Sequence, residues 1–194
     1  MSGQLVMSLN ETFIFLKRWA KNPLQLGSIA PSSKALSSFI ARNAVLNEND
    51  FVIEIGGGTG AISRALLNSG IPASRLIVIE LDPELAEFLK KSLPSGVHVI
   101  QGNAEKLDKI VPHEALGNVS TIISCLPMKI IPDHVQKNII EACFRTMGKN
   151  GNIIQYTYDV IKSPIASQNL EIQNKRLGFI FRNLPPAVVW KYWR

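Results

Sequence analysis

Only two of the 194 residues are cysteine, Cys125 and Cys143, and neither stands in a metal-binding or redox spacing. That argues against a disulfide framework and against a cysteine zinc site. The three histidines, His98, His113 and His134, are scattered, with no ligand spacing and no neighbouring acid–nucleophile pattern, so no metal is expected. No apolar run approaches the roughly 20 residues that cross a bilayer. At the start of the chain Glu11 precedes the apolar stretch and the basic residues follow it, the reverse of a signal peptide. Internal repeats and low-complexity linkers are missing too. These absences predict a protein of a reducing cytoplasm, either soluble or peripheral on a membrane.

A chain of this size with 46% hydrophobic residues can bury a full core as one domain and leave an accessory segment. Its net charge of +6 is unevenly placed. Residues 1–43 hold five basic residues against Glu11, and residues 160–194 hold six against Glu171, giving +4 and +5. The stretch between, with ten basic and thirteen acidic residues, carries −3. Both ends are therefore suited to face a polyanion, and the middle is not.

The middle is organised around Phe51-Val52-Ile53-Glu54-Ile55-Gly56-Gly57-Gly58-Thr59-Gly60-Ala61. An apolar run that breaks into glycines and resumes as a helical pattern reads as a buried strand, a ligand-cradling turn and a helix start. Leu76-Ile77-Val78-Ile79 is a second strand, and it ends in Glu80, where an acid meets the two hydroxyls of a ribose. Gly56-x-Gly58-x-x-Ala61 also satisfies the dinucleotide fingerprint, so spacing alone leaves the nucleotide open. Glu54 inside the first strand favours S-adenosylmethionine, because an anion attracts an amino-acid ammonium and repels a pyrophosphate.

Ser8-Leu9-Asn10-Glu11 is a capping box that predicts a helix over residues 9–22, stopped by Pro23. Phe13, Leu16 and Trp19 fall on one face of it, and Lys17, Arg18 and Lys21 on the other. Such a helix fits a lipid interface or a plain packing role. Gly27-Ser28-Ile29-Ala30-Pro31-Ser32-Ser33 follows, with Ser32 the expected cap of a helix to Arg42. Strands are predicted at 51–55, 76–80, 97–101, 120–125 and 152–158, with helices over 61–69, 83–92 and about 132–147 between them, a parallel βαβ series. Beyond the third strand, Asn103 and Ala104 lie at the edge where open parallel sheets bind ligands. After the fifth strand the pattern predicts a partly helical stretch to Arg176. Phe179–Arg182 and Val188–Tyr192 then form a closing antiparallel hairpin about Pro185-Pro186.

With these motifs in order the chain resembles class I S-adenosylmethionine-dependent methyltransferases. Phe15-Leu16-x-x-Trp19-x-x-Asn22-Pro23, Gly27-Ser28-Ile29-Ala30-Pro31-Ser32-Ser33, Ser124-Cys125-Leu126-Pro127, Gln155-Tyr156-Thr157-Tyr158 and Asn183-Leu184-Pro185-Pro186-Ala187-Val188-Val189-Trp190 are similar to the bacterial phospholipid N-methyltransferases. The resemblance implies an α/β, Rossmann-like sheet of seven mostly parallel strands. An N-terminal amphipathic extension (1–43) docks on anionic lipid and a catalytic domain (44–194) binds S-adenosylmethionine. It also implies stepwise methylation of phosphatidylethanolamine toward phosphatidylcholine on the inner face of the cytoplasmic membrane, with neither nucleic acid nor an obligate protein partner. Glu54, Gly56, Gly58, Gly60, Glu80, Asn103 and Ala104 would hold the cofactor. Tyr156, Tyr158 and Asp159, with Ser124, are the candidates for receiving the proton or orienting the amine. Phe13, Leu16, Lys17, Arg18, Trp19 and Lys21 would meet the membrane. Two departures stand out: Asn103 replaces the acid common after the third strand, and Ser-Cys-Leu-Pro replaces the Asn-x-Pro-Tyr of adenine N-methyltransferases. The rival reading is an enzyme of the ribosomal RNA adenine dimethyltransferase kind.

Overall fold

A computed structural model describes residues 33–159, 161, 163–165 and 171–194. The helix expected over 9–22, with its six membrane-facing candidates, and the turn-rich stretch up to residue 32 lie outside the described residues. The elements run α1 (Lys34–Asn43), β1 (Phe51–Ile55), α2 (Ala61–Asn68), β2 (Leu76–Glu80), α3 (Pro83–Ser92), β3 (His98–Gln101) and α4 (Leu107–Ile110). Then come β4 (Val119–Ser124), α5 (Asp133–Thr146), β5 (Asn152–Thr157), β6 (Gln173–Ile180) and β7 (Ala187–Trp193).

The strands form one sheet in the order β3-β2-β1-β4-β5-β7-β6. β1 to β5 are mutually parallel, and β7 runs antiparallel to both β5 and β6. β1, β2 and β4 are buried along their whole length, which is why they read as continuous runs rich in Ile and Val: parallel strands covered on both faces have no polar side. One face packs on α1, α2 and α3 through Leu36, Ile40, Ile62, Leu66, Val78 and Leu89. The other packs on α4 and α5 through Ile53, Leu107, Ile122, Ile139 and Ile153. The order reverses at β1, with β2 on one side and β4 on the other, so the crevice for a ligand opens above the carboxyl ends of those strands.

The seven-stranded mixed sheet and the closing hairpin match the sequence expectation; three details do not. Ser33, not Ser32, caps α1, its hydroxyl accepting from the Leu36 N–H at 3.2 Å. The stretch read as partly helical up to Arg176 is already β6 from Gln173, and the hairpin strands are longer than predicted. Gln173-Asn174-Lys175-Arg176 carries no apolar alternation because it is an exposed edge strand, where charge blocks further pairing. Finally, α1 belongs to the packed body, with Leu36 and Ile40 fully buried, so the folded core begins upstream of residue 44.

Candidate active site

The glycine turn is shaped by its backbone. Gly56, Gly58 and Gly60 adopt φ of 82°, 52° and 79°, a region open to glycine and strained for other residues. Gly56 and Gly57 donate to the Ile79 carbonyl at 2.8 and 3.3 Å, and Gly60 donates to the Gly57 carbonyl at 2.8 Å. At Gly58 an added Cβ would meet nothing within 4 Å, so the turn leaves open space on that side. At Gly57 the same atom would stand 2.5 Å from Val78 Cγ1, so this glycine is required by packing against β2 and α3.

Glu80 is buried at the end of β2 and accepts from two backbone donors, Gly58 N–H on Oε2 at 2.8 Å and Asp82 N–H on Oε1 at 3.0 Å. The second lone pair of each oxygen stays available, which suits a ribose diol. Next to it Asp82 caps α3, its Oδ1 accepting from Glu84 and Leu85 N–H. Its buried Oδ2 has no partner among the described residues. A buried acceptor left unsatisfied beside a ribose-type acid and an open glycine is what a polar nucleoside would complete. Nothing in the sequence pattern marks Asp82 as more than a helix cap, since a cap with one oxygen to spare looks like any other.

Glu54 is 1% exposed and faces α2, where the Ser63 hydroxyl donates to its Oε2 and the Cys125 thiol donates to Oε1 at 3.8 Å. Burial pushes its pKa up to about 8, only partly offset by those two bonds. Glu54 is thus largely neutral at pH 7 until a cation lies near it, a qualification to the anionic role read from the sequence. Cys125 in turn is pushed well above its ordinary range by burial and by Glu54, so it stays a thiol.

Asn103 and Ala104 sit beyond β3 at the same carboxyl edge. Asn103 Oδ1 accepts from Glu105 N–H at 2.9 Å and its amide donates to Glu105 Oε1 at 3.2 Å, so its side chain is engaged in closing a turn.

The four catalytic candidates are not one cluster. Tyr156 and Tyr158 lie on the α1–α3 face, their rings edge to face with centroids 5.7 Å apart. The Tyr158 phenol is hydrogen-bonded to Asn183 and Tyr156, and burial raises its pKa above the ordinary value. It is therefore a neutral hydroxyl able to orient an amine, and not the charged base that a proton acceptor would be. Asp159 is a partner of Lys129 through Oδ2, and its Oδ1 accepts from Ile161 N–H at 2.8 Å, so both oxygens are engaged. Ser124, one residue from Cys125 but on the α5 face, is buried with an unpartnered Oγ. It shares a register row with Gln155, whose buried Oε1 is also unpartnered.

Asn183 was missed as a site residue. It is buried, accepts from Ser33 N–H on Oδ1 at 3.0 Å and donates to the Pro185 carbonyl at 2.8 Å. It thereby connects the start of α1, the β6–β7 turn and Tyr158.

A parallel sheet with its reversal at β1, a glycine turn opening onto space and an acid at the end of β2 define an S-adenosylmethionine-dependent methyltransferase of class I fold. S-adenosylmethionine is its cofactor. The sequence matches the family described as ribosomal RNA adenine dimethylase over residues 29–158, and the chain belongs to that family. It is 28% identical to the ornithine lipid N-methyltransferase of Singulisphaera acidiphila, over 92% of this chain and 94% of that one. It is 31% identical to the probable ribosomal RNA small subunit methyltransferase A of Methanococcoides burtonii, over 68% of this chain but 44% of that one. Among solved structures, TrmN from Thermus thermophilus superimposes with a TM-score of 0.65 at 15% identity, covering 92% of this chain and 53% of that one. A TehB-like S-adenosylmethionine-dependent methyltransferase from Corynebacterium glutamicum gives 0.57 at 12% identity, covering 96% and 100%.

Proposed function

We propose that the protein transfers methyl groups to the amine of a membrane lipid, namely phosphatidylethanolamine and its mono- and dimethyl derivatives. One observation carries the choice of a lipid acceptor, while phosphatidylethanolamine in particular rests on the motif resemblance. The match to the ornithine lipid enzyme runs end to end, 92% of this chain on 94% of that one, whereas the ribosomal RNA enzyme is matched over less than half its length. Cys125 where adenine N-methyltransferases carry asparagine supports it, because a buried thiol cannot accept an amino group's hydrogen bonds as a carboxamide does.

Bound S-adenosylmethionine supplies a methyl group already activated on sulfonium, so the protein's share is positioning. Gly56, Gly58 and Gly60 shape the cradle, Glu80 receives the ribose, and Glu54 compensates a cationic group once ionised. Asn103 and Ala104 border the base at the end of β3. Tyr156 and Tyr158, as neutral phenols, align the acceptor amine. Partial desolvation at the sheet edge favours the uncharged amine, whose lone pair must be free to attack. Asp159 takes the released proton out through its one-third-exposed carboxylate beside Lys129. Ser124 orients groups from the opposite face. The N-terminal Phe13, Leu16, Lys17, Arg18, Trp19 and Lys21 hold the enzyme on anionic lipid of the cytoplasmic leaflet. No described helix is long and apolar enough to cross a membrane.

The family match favours a second reading, methylation of ribosomal RNA. Pure protein incubated with methyl-labelled S-adenosylmethionine and phosphatidylethanolamine liposomes, ornithine lipid liposomes or ribosomal RNA separates the cases. Label in phosphatidylethanolamine is expected; label in RNA alone overturns the lipid reading.

A further inference from the structure

Seven large apolar side chains are exposed among the described residues, and they are not evenly spread. Leu184, Ile161 and Phe181 are 86%, 82% and 79% exposed, against 42–47% for the other four. A folded chain covers such groups unless something else will. All three lie at the carboxyl edge of the sheet. Ile161 follows β5, and Phe181 and Leu184 are in the β6–β7 turn, which faces the same edge because β6 ends where β7 pairs with the last residues of β5. Ile130, 45% exposed, joins them from the turn after β4. The remaining three, Val45, Phe88 and Leu116, are elsewhere: Val45 beside the start of β4, Phe88 on α3 and Leu116 before β4.

The edge is therefore divided. Above β1 and β2 stand the glycine turn and Glu80; above β4, β5, β7 and β6 stand Ile130, Ile161, Phe181 and Leu184. At about 4.8 Å per strand the apolar half extends roughly 20 Å from β1. Arg182, exposed between Phe181 and Leu184, has no carboxylate partner among the described residues.

We infer that this rim, Ile130, Ile161, Phe181 and Leu184 with Arg182, is a membrane-insertion surface that seats the sheet's carboxyl edge directly on lipid. The inference rests on the lipid reading above. Apolar tips from three separate turns reach acyl chains while the guanidinium stays among phosphates, the arrangement of an interfacial anchor. Aliphatic tips have no planar face for stacking on bases, so an RNA partner leaves Ile130, Ile161 and Leu184 unexplained. Seated this way, the mouth beside the cofactor cradle opens onto the headgroup layer, and a lipid amine reaches it without leaving the bilayer.

The test places a single environment-sensitive nitrobenzoxadiazole label by Leu184→Cys, and in a second protein by Ser74→Cys before β2 at the opposite edge; Cys125 and Cys143 are buried and stay unlabelled. Vesicles of phosphatidylethanolamine and phosphatidylglycerol should shift emission to the blue at position 184 and leave position 74 unchanged. The double variant Phe181→Ser/Leu184→Ser should bind these vesicles about tenfold more weakly or worse, since two apolar side chains lose their lipid contact. Its cofactor affinity by calorimetry should equal that of the unmodified protein, which shows that it is folded. A label at 184 that stays in water on vesicle-bound protein overturns the inference. So does a blue shift that grows with protein concentration in the absence of vesicles, since the rim would then join copies of the chain. If position 184 inserts but lipid takes no methyl label, the proposed reaction fails and the rim stands. If lipid is methylated while position 184 stays in water, the rim fails and the reaction stands.

Discussion

The backbone N–H of Gly58 donates to Glu80 Oε2 at 2.8 Å, tying the glycine turn to an acid 22 residues further along the chain. One carboxylate thus shapes the cradle and, in the reading proposed above, receives the ribose. Glu80→Ala removes both functions. Cofactor affinity should fall by tenfold or more for each ribose bond lost, at about 1.5–3 kcal/mol for a hydrogen bond to a charged group. Stability should drop as well, because the Gly58 and Asp82 N–H groups lose their acceptor. Calorimetry with S-adenosylmethionine and thermal denaturation measure the two effects; unchanged affinity in folded protein would remove Glu80 from the cofactor site.

Glu54 gives a pH signature. Its folded pKa of about 8 stands above the ordinary 4.5, so between those values the folded chain keeps a proton that the unfolded chain has released. Stability therefore falls as pH rises through that window and levels off above about 8. Glu54→Gln should erase this slope and be the more stable protein at pH 7, by on the order of 3 kcal/mol at most. Denaturant titrations at pH 5 and pH 8 check the sign. The same variant should bind S-adenosylmethionine more weakly, and the unmodified protein should release a proton on binding at pH 7, visible by calorimetry in buffers of different ionisation enthalpy.

Adjacent glycines should fail differently. In Gly57→Ala the new methyl would lie 2.5 Å from Val78 Cγ1 and 2.8 Å from Leu89 Cδ1, both buried side chains, so stability should fall by about 1–3 kcal/mol through overpacking. Gly58→Ala meets no atom, and its φ of 52° costs only about 1–2 kcal/mol, yet its methyl enters the cradle. Gly58→Ala should therefore lose more cofactor affinity than stability. Melting temperature and calorimetry on the pair decide it.

Tyr158→Phe and Tyr156→Phe should lower kcat while leaving cofactor affinity near normal. Because the Tyr158 phenol is held above its ordinary pKa, the unmodified enzyme's rate should show no loss of activity on approaching pH 9 from ionisation of this group. A kcat unchanged in both variants would assign the pair to packing.

The strands and the cofactor turn were legible because local constraints write them directly: β1, β2 and β4 are buried on both faces, and the turn needs positive φ at Gly56, Gly58 and Gly60. β6 was not, since an exposed edge strand carries the charges of a loop and takes its shape from β7. Gly178 shows the same limit: a Cβ there would stand 2.5 Å from Phe39 Cζ, a contact between residues far apart in the chain. Tyr156, Tyr158 and Asp159 are close in sequence, but Ser124 comes from β4 and shares its row with Gln155, whose side chain points to the face opposite Tyr156 because neighbouring strand positions alternate. Asn183 opens one of the motifs of the resemblance, but its role was not legible, since two of its partners, Ser33 and Tyr158, lie far away in the chain.

That same asparagine bears on how the enzyme is born. A chain leaves the ribosome N-terminal end first, and β1 to β5 can begin to assemble as they emerge. Ser33 waits 150 residues for Asn183, and Tyr158 waits for the same side chain. The glycine turn and Glu80 can therefore take shape before Asn183 is made, whereas in a nascent or C-terminally clipped protein Ser33 and Tyr158 would still lack the side chain that joins them.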